Sequence, residues 1–163
     1  MPLKVTLKPN EKILVGTAVI ANGATKSELV ILNRVPVLRQ KDILTEEQAD
    51  TVVKKLYFAI LNMYVAPDRE RDFHNLYFLL LKQLIQLPID GRGIDLMHEV
   101  SLCIIGGDHY RALKVCRKLI DYEAEVLSHG EGSNPSLSAE PEGQSDAPRG
   151  GGDGFHQSCG DDG

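Results

Sequence analysis

Basic side chains recur through the first 44 residues, where they could neutralise phosphate groups. This segment holds seven lysines and arginines against three acidic residues. Basic side chains that contact a nucleic-acid backbone release counterions, and that release supplies most of the salt-sensitive affinity. The candidates for phosphate contacts are Lys4, Lys8, Lys12, Arg34, Arg39 and Lys41.

The same residues also fit a solvated strand face, which is the ordinary environment of surface lysines. Lys4 and Lys8 share one face of a strand with Thr6, because side chains alternate along a strand. Residues 1–44 contain no Phe, Tyr or Trp, the side chains on which unpaired bases usually stack. Arg39 could instead pair with Asp42 and fix a corner between strands and helices. Charge alone therefore leaves phosphate binding and a structural role open.

The residues that most often perform catalysis or bind metals lack the required spacing. Cys103, His109 and Cys116 could approach one another across the turn between them. No Cys-x-x-Cys pair accompanies them, so we expect no zinc site and interpret the two cysteines as small core residues. Gly91-Arg92-Gly93 lacks the length and the Lys-Ser/Thr continuation of a phosphate-cradling loop. We predict no catalytic residue, no metal and no cofactor.

The length and composition suit one compact domain followed by a tail. The 163 residues are 42% hydrophobic, enough to bury a core. The longest apolar run, residues 76–81, is far shorter than the roughly 20 residues of a membrane span. The N-terminal sequence has no charged segment followed by an apolar core, so we expect no secretory signal. Three cysteines predict no disulfide framework and fit the cytoplasm.

The hydrophobic pattern of the first 44 residues alternates with the period of two that strands require. It predicts strands over residues 3–8, 13–15, 17–21, 28–32 and 35–38. Gly16 is expected to form a bulge or bend, and Asn22-Gly23 a hairpin turn, because both residues of that pair tolerate positive φ. Pro36 confines the last strand to an edge or an end. The prediction is one small, mostly antiparallel sheet of four or five strands.

After Thr45 the apolar residues recur every three or four positions, which indicates helices. Thr45 and Gln48 have the spacing of a capping box at the start of the first helix, which Pro67 ends. Asp68 is expected to cap the second helix, which Pro88 ends. These five polar and proline positions therefore define two helices separated by a short turn.

Two further helices complete the predicted bundle. The third spans residues 94–105 and ends at Gly106-Gly107, since glycine accepts the left-handed conformation that follows many helices. Asp108 caps the fourth. We therefore predict an α+β fold, with a small N-terminal β-sheet over residues 1–44 and a C-terminal bundle of about four helices over residues 45–129, forming one continuous domain.

The composition changes at Gly130. Residues 130–163 contain nine glycines and few bulky apolar side chains, so they cannot bury enough area to offset the entropy of ordering. We expect a disordered tail there. It carries seven acidic residues and one basic residue, whereas residues 1–44 carry a net charge of +4 and residues 45–129 one of −3. The chain therefore combines a basic β segment, a mildly acidic helical segment and an acidic tail.

A protein partner is the rival to a phosphate partner. The second predicted helix carries Leu79 and Leu81 besides its main apolar stripe, so it is apolar over more than one face. Such a helix is either buried at the centre of the bundle or covered by a partner, including a second copy of the chain. Tyr57 and Tyr64 on the first helix are further candidates. The candidate partner-binding residues are thus Tyr57, Tyr64, Leu79 and Leu81.

Short motifs follow one another in a characteristic order across residues 1–129. In the β segment they are Met1-Pro2-Leu3-Lys4-Val5, Leu7-Lys8-Pro9, Glu11-Lys12-Ile13, Val15-Gly16, Pro36-Val37-Leu38-Arg39 and Lys41-Asp42-Ile43. In the helices they are Tyr57, Tyr64, Tyr110, Ala112-Leu113-Lys114, Lys118-Leu119-Ile120, Tyr122-Glu123 and Leu127. In order and spacing, these motifs resemble the flagellar-biosynthesis repressor FlbT family.

The resemblance implies a bacterial, cytoplasmic regulator that acts after transcription. A member of this family is expected to associate with the 5′ untranslated region of flagellin mRNA, to repress its translation and to promote its decay. The implied partner is therefore the flagellin mRNA leader. The alternative is a protein-binding adaptor in flagellar assembly, with flagellin or another flagellar regulatory protein as its partner and an indirect effect on the mRNA.

Overall fold

The computed structural model describes residues 1–130, in which five short strands precede four α-helices. The strands are β1 (Leu3–Leu7), β2 (Lys12–Val15), β3 (Ala18–Ala21), β4 (Ser27–Ile31) and β5 (Val37–Arg39). The helices are α1 (Val52–Val65), α2 (Glu70–Ile85), α3 (Gly91–Ile105) and α4 (His109–Gly130). This order confirms the predicted α+β fold. The tail that the sequence predicts to be disordered lies outside the described residues from residue 131 onward.

The strands form two antiparallel sheets rather than the predicted single sheet. β1 pairs with β4, from Leu3 opposite Ile31 to Leu7 opposite Ser27. The other sheet has the strand order β3-β2-β5. β2 and β3 are joined by the two-residue turn Gly16-Thr17, in which Gly16 has a φ of 60°. Gly16 is therefore part of a hairpin turn and not a bulge, since two-residue hairpins favour glycine where φ is positive.

Asn22 links the two sheets instead of turning a hairpin. The hairpin predicted at Asn22-Gly23 is wrong, because β3 and β4 belong to different sheets. The Asn22 amide nitrogen donates to the carbonyls of Lys8 at 2.7 Å and Thr25 at 2.9 Å. Its amide oxygen accepts from the Ser27 hydroxyl at 2.7 Å. These bonds tie the segment between β3 and β4 to the end of β1.

The first α-helix starts later than the sequence predicts. The Thr45 N–H donates to Oε1 of Gln48 at 3.0 Å, as in a capping box, but this box closes only the 3-10 helix Glu46–Gln48. α1 follows Thr51, whose hydroxyl accepts from the Lys54 N–H at 3.2 Å. The prediction that α1 begins at the capping box is therefore wrong, because a separate short turn precedes it.

Aspartate side chains cap α3 and α4. α3 follows Asp90, whose Oδ1 accepts from the Gly93 N–H at 3.0 Å, so this helix begins before the predicted residue 94. Asp108 caps α4 as predicted, since its Oδ1 accepts from a backbone N–H of the first turn at 3.0 Å. α2 follows the 3-10 helix Pro67–Arg69 without a side-chain cap, so the capping role predicted for Asp68 is wrong.

The centre of the core is α1, not α2. Leu56, Ile60 and Met63 of α1 are almost completely buried, and α1 packs against α2 and α4 while α3 packs on α4. Leu14 of β2 and Leu38 of β5 join the same core, which places the three-stranded sheet against the helices. Among residues 1–130, no helix is long and apolar enough to cross a membrane.

Cys103 and Cys116 are small core residues, as the sequence predicts. Both thiols are free and buried. Burial raises the pKa of the Cys116 thiol far above its ordinary value, and burial also raises the pKa of Cys103. Both thiols therefore stay protonated at neutral pH and are poor nucleophiles, because the thiolate is the reactive form.

Candidate functional site

The structure brings three of the six candidate basic residues together around one open depression. Lys8 directly follows β1, Arg39 ends β5, and Lys41 lies in the 3-10 helix Gln40–Asp42 that comes after β5. The depression has a volume of about 610 Å³. We call it the basic groove, and its lining residues are Lys8, Pro9, Asn10, Glu11, Arg39, Gln40 and Lys41.

Hydrogen bonds fix the two rims of the basic groove relative to each other. Asn10, in the turn between β1 and β2, has a φ of 60°, a conformation that Asn adopts more readily than most residues. The Glu11 carboxylate accepts from the Lys8 N–H at 2.8 Å, and Oε1 of Gln40 accepts from the Lys12 N–H at 2.8 Å. The turn is thus held against the 3-10 helix on the opposite rim.

Arg39 bridges the two sheets at the basic groove. Its Nη2 donates to the Thr6 carbonyl of β1 at 2.5 Å, and its Nε lies 3.8 Å from Oε1 of Glu11. The ion pair predicted between Arg39 and Asp42 is wrong, because Asp42 pairs with side chains of α4 instead. The Arg39 side chain is 42% exposed, so it combines a structural role with partial access to the groove.

Lys8 and Lys41 supply the freely exposed charges of the basic groove. Within residues 1–130, no carboxylate oxygen lies within 4.0 Å of either ammonium group. Lys41 offers its backbone carbonyl to the Arg117 guanidinium and leaves its side chain in solvent. These two charges can therefore meet a phosphate without first breaking an ion pair to the described part of the chain.

The other three candidates lie outside the basic groove. Lys4 is exposed on β1, where its ammonium group lies 3.8 Å from the Glu28 carboxylate of β4. Lys12 is exposed at the start of β2, and Arg34 is exposed in the loop between β4 and β5. The structure therefore does not gather all six predicted phosphate contacts into one site.

Asp42 anchors the corner between the strands and the helices to α4. Its carboxylate lies 3.5 Å from Nζ of Lys114 and 3.6 Å from Nη2 of Arg117. Its backbone carbonyl accepts from the Tyr57 hydroxyl at 2.7 Å. The Arg117 guanidinium also lies over the Tyr57 ring, 5.5 Å from its centroid. Lys114 and Arg117 thus serve the fold and are not candidate phosphate contacts.

The two tyrosines predicted to contact a partner instead contact other residues of the same chain. Tyr57 is only 1% exposed, and burial raises the pKa of its hydroxyl well above the ordinary value. A partner cannot reach it, so the prediction for Tyr57 is wrong. Tyr64 is half-buried, and its hydroxyl accepts from the Val37 N–H at 3.4 Å. The Tyr64 ring packs against Tyr110 with centroids 5.7 Å apart.

Leu79 and Leu81 lie on different faces of α2. Leu79 is exposed beside Lys82, whereas Leu81 is half-buried and lines a depression between α2 and α3. We call this depression the apolar groove, and its lining residues are Leu81, Ile85, Leu87, Ile89, Ile94, Met97, His98 and Ser101. Ile85 is 64% exposed and Ile94 is 54% exposed. α2 and α3 therefore both present apolar side chains to solvent rather than burying them all.

A cluster of possible metal ligands lies where α2 and α4 begin. The ligating atoms of Glu70, His74 and His109 lie within 4.8 Å of one another. The sequence alone shows that Glu70 and His74 are neighbours on one helix face, because they are four residues apart. The third ligand, His109, is remote in sequence and reaches the cluster only through the packing of the helices, which is why the pattern alone predicts no such set.

The grooves and the core lie within a segment that matches a known family. The family model described as "Flagellar protein FlbT" matches residues 3–127. The chain belongs to the FlbT family. This match confirms the resemblance drawn from the sequence motifs, and it covers nearly all of the described residues.

FlbT relatives match the chain over most of their own length. "Probable flagellum biosynthesis repressor protein FlbT 1" of Bradyrhizobium diazoefficiens is 40% identical over 141 residues, which cover 86% of this chain and 94% of the relative. The Rhodopseudomonas palustris (strain TIE-1) relative is 40% identical over 128 residues, covering 78% and 99%. "Flagellum biosynthesis repressor protein FlbT" of Caulobacter vibrioides is 33% identical over 129 residues, covering 79% and 92%. No solved structure gives a significant match to the chain.

Proposed function

We propose that this FlbT-family chain is a cytoplasmic, post-transcriptional regulator of flagellum biogenesis. It binds the 5′ untranslated region of flagellin mRNA, represses translation and promotes decay of the message. The Caulobacter vibrioides relative, named a flagellum biosynthesis repressor, supports the regulatory part of this proposal. The observation that carries the RNA part is the basic groove, where Lys8 and Lys41 are exposed without a carboxylate partner in residues 1–130.

The basic groove suits an RNA backbone better than RNA bases. Lys8, Lys41 and the exposed part of Arg39 place three positive charges around one depression, so phosphates binding there release counterions. Asn10 and Gln40 add amide groups that can donate hydrogen bonds to phosphate or sugar oxygens. No aromatic side chain of residues 1–44 is present to stack a base. We therefore expect strongly salt-dependent binding with little sequence discrimination by the groove itself.

Decay of the message is assigned to a separate ribonuclease. Among residues 1–130, Glu11 is the one carboxylate that lines the basic groove, and it accepts from the Lys8 N–H and lies beside Arg39. It is therefore already occupied by structural contacts, and no histidine of the described residues lines the groove. In this proposal the chain holds the leader, and another protein cuts it.

Binding of the isolated full chain to a labelled flagellin leader RNA tests the proposal. We expect binding without any added protein. Three phosphate contacts to a single strand predict that affinity falls about 20-fold between 50 and 200 mM salt, from a slope of about −0.7 per contact. A leader of the same length and shuffled sequence should bind the groove with similar affinity and the same salt dependence, because the groove meets the backbone and not the bases. Absence of binding, or binding only when a second protein is present, would contradict direct recognition.

The apolar groove favours a second candidate function, a protein-binding adaptor in flagellar assembly. Exposed apolar side chains such as Ile85 and Ile94 often anchor protein partners, and truncating an anchor costs roughly 2 kcal/mol or more. If the chain is an adaptor, Ile85→Gln should weaken binding of flagellin or another flagellar regulatory protein by about 30-fold. Val19→Gln, an exposed apolar position on β3, is the matched control. Unchanged partner binding by Ile85→Gln, with the fold intact, would remove this candidate surface.

A further inference from the structure

Three side chains with metal-ligating atoms converge between the first turns of α2 and α4. Glu70 and His74 are one helical turn apart on α2, and His109 is the first residue of α4. Oε1 of Glu70 lies 3.3 Å from Nε2 of His74 and 3.2 Å from Nε2 of His109. The two imidazoles therefore present the same ring nitrogen to one carboxylate oxygen.

Both imidazole nitrogens are buried and have no hydrogen-bond partner among the described residues. Each lies close to the Glu70 oxygen, but neither is in hydrogen-bonding geometry with it. The His109 side chain as a whole is only 13% exposed. A buried polar atom without a partner is unfavourable. Two such imidazole nitrogens beside the same Glu70 oxygen therefore favour a cation bound between the three side chains.

The separations fit ligands that share one tetrahedral ion. Zn²⁺ binds imidazole nitrogen and carboxylate oxygen at about 2.0–2.2 Å, and two ligands of a tetrahedral ion at those distances lie about 3.3 Å apart. The two Glu70–histidine distances, 3.3 Å and 3.2 Å, match that edge. The ligating nitrogens of the two histidines also lie within 4.8 Å of each other.

We propose that Glu70, His74 and His109 bind one divalent transition-metal ion, with Zn²⁺ as the best fit. Two imidazoles and one carboxylate form a ligand set that Zn²⁺ accepts with a fourth position left to water, whereas Mg²⁺ and Ca²⁺ prefer oxygen ligands. Glu70 and His74 also line an open depression next to Asp68 and Asp72, through which water and the ion can enter. The ion joins the start of α2 to the start of α4.

Zinc titration of the metal-free full chain by calorimetry, combined with thermal unfolding, tests this site. The natural sequence should bind one Zn²⁺ at the cluster and unfold at a higher temperature when Zn²⁺ is present. His74→Ala and His109→Ala should each weaken the affinity at least about tenfold and remove the thermal shift. His98→Ala removes an exposed imidazole of α3 and should change neither quantity.

Two further measurements keep the proposal open to refutation. Glu70→Gln nearly preserves the side-chain volume and should also weaken Zn²⁺ binding at least about tenfold, and circular dichroism shows whether each variant is folded. Co²⁺ in place of Zn²⁺ should give ligand-field bands without thiolate-to-cobalt charge transfer, since no cysteine belongs to the cluster. A thiolate band, undiminished binding by folded His109→Ala, or no stoichiometric binding at all would overturn the proposal. If no Zn²⁺ binds stoichiometrically, Glu70 forms only ion pairs with His74 and His109.

Discussion

Gly93 lies at the start of α3, between Ile89 and the ring of Tyr122. A Cβ atom at this position would lie 2.2 Å from Cγ2 of Ile89 and 2.8 Å from Cε1 of Tyr122. Tyr122 cannot easily move away, because its hydroxyl accepts from the Asp90 N–H at 3.2 Å. The close approach of these side chains, rather than the backbone conformation, is what requires glycine here.

Gly93→Ala should therefore destabilise the fold. We expect the free energy of unfolding to fall by about 1–3 kcal/mol, the usual cost of forcing an extra carbon into a packed site. Gly91→Ala is the matched control, since a Cβ there has no neighbour within 4 Å. Alanine favours helix, so the control should be neutral or up to about 1 kcal/mol more stable. Equal losses for both variants in urea unfolding would contradict the packing account.

Several polar residues join elements through partners that the sequence does not predict. Asn22 ties the segment before β4 to β1, Arg39 bridges the sheets, and Asp42 binds α4. Each of these contacts is remote in sequence, so the local pattern shows the residue type but not its partner. Within the basic groove, Lys8 and Lys41 are therefore the charges most free to bind phosphate.

At the scale of elements, the corner between strands and helices depends on Asp42. Replacing it with Asn removes the charge that Lys114 and Arg117 share, while the side chain keeps its shape. Because the Asp42 side chain is only 13% exposed, we expect the free energy of unfolding to fall by about 1–3 kcal/mol. Glu28→Gln, in an exposed pair with Lys4, should change it little. Urea unfolding measures both, and a neutral Asp42→Asn would show that the corner is held by other contacts.

Local periodicity predicts the elements of this chain but not their partners. The alternating β segment, the four helices and the Asp108 cap follow from residue spacing, which depends only on nearby residues. The pairing of β1 with β4 does not follow from spacing, because β2 and β3 lie between these strands in the sequence and the contact is not local. Spacing does place Leu79 and Leu81 on different faces of α2, but it does not show that Leu79 is exposed while Leu81 lines the apolar groove.

The candidate site likewise combines features that the sequence predicts with contacts that only the tertiary structure shows. Residue types are enough to predict a basic β segment, and the family resemblance adds the hypothesis that this segment binds RNA. The groove itself requires Lys8 and Lys41 to line one depression, and the Lys12–Gln40 hydrogen bond between its two rims is a contact that the sequence does not predict. The Glu70–histidine cluster depends in the same way on how α4 packs beside α2.

At the scale of the whole molecule, two surfaces of different chemistry lie on different parts of the chain. The basic groove belongs to the β segment, with a net charge of +4 over residues 1–44, and the apolar groove belongs to α2 and α3. A polyanion is therefore drawn to the β segment, while the mildly acidic helices repel it. Because the surfaces share no residue, substitutions can test the proposed RNA binding separately from the proposed protein binding.

The salt dependence of leader-RNA binding, compared between two double variants, tests the central claim most directly. Lys8→Gln with Lys41→Gln removes two charges from the basic groove. Lys55→Gln with Lys82→Gln removes two exposed charges from the helices and is the matched control. The account predicts that the groove variant reduces the magnitude of the slope of log affinity against log salt by about 1.4, or about 0.7 for each lost phosphate contact. The control should keep the natural slope, and both variants should unfold like the natural chain. Equal slopes for the two folded variants would contradict the account, because RNA would then respond to net charge and not to the groove.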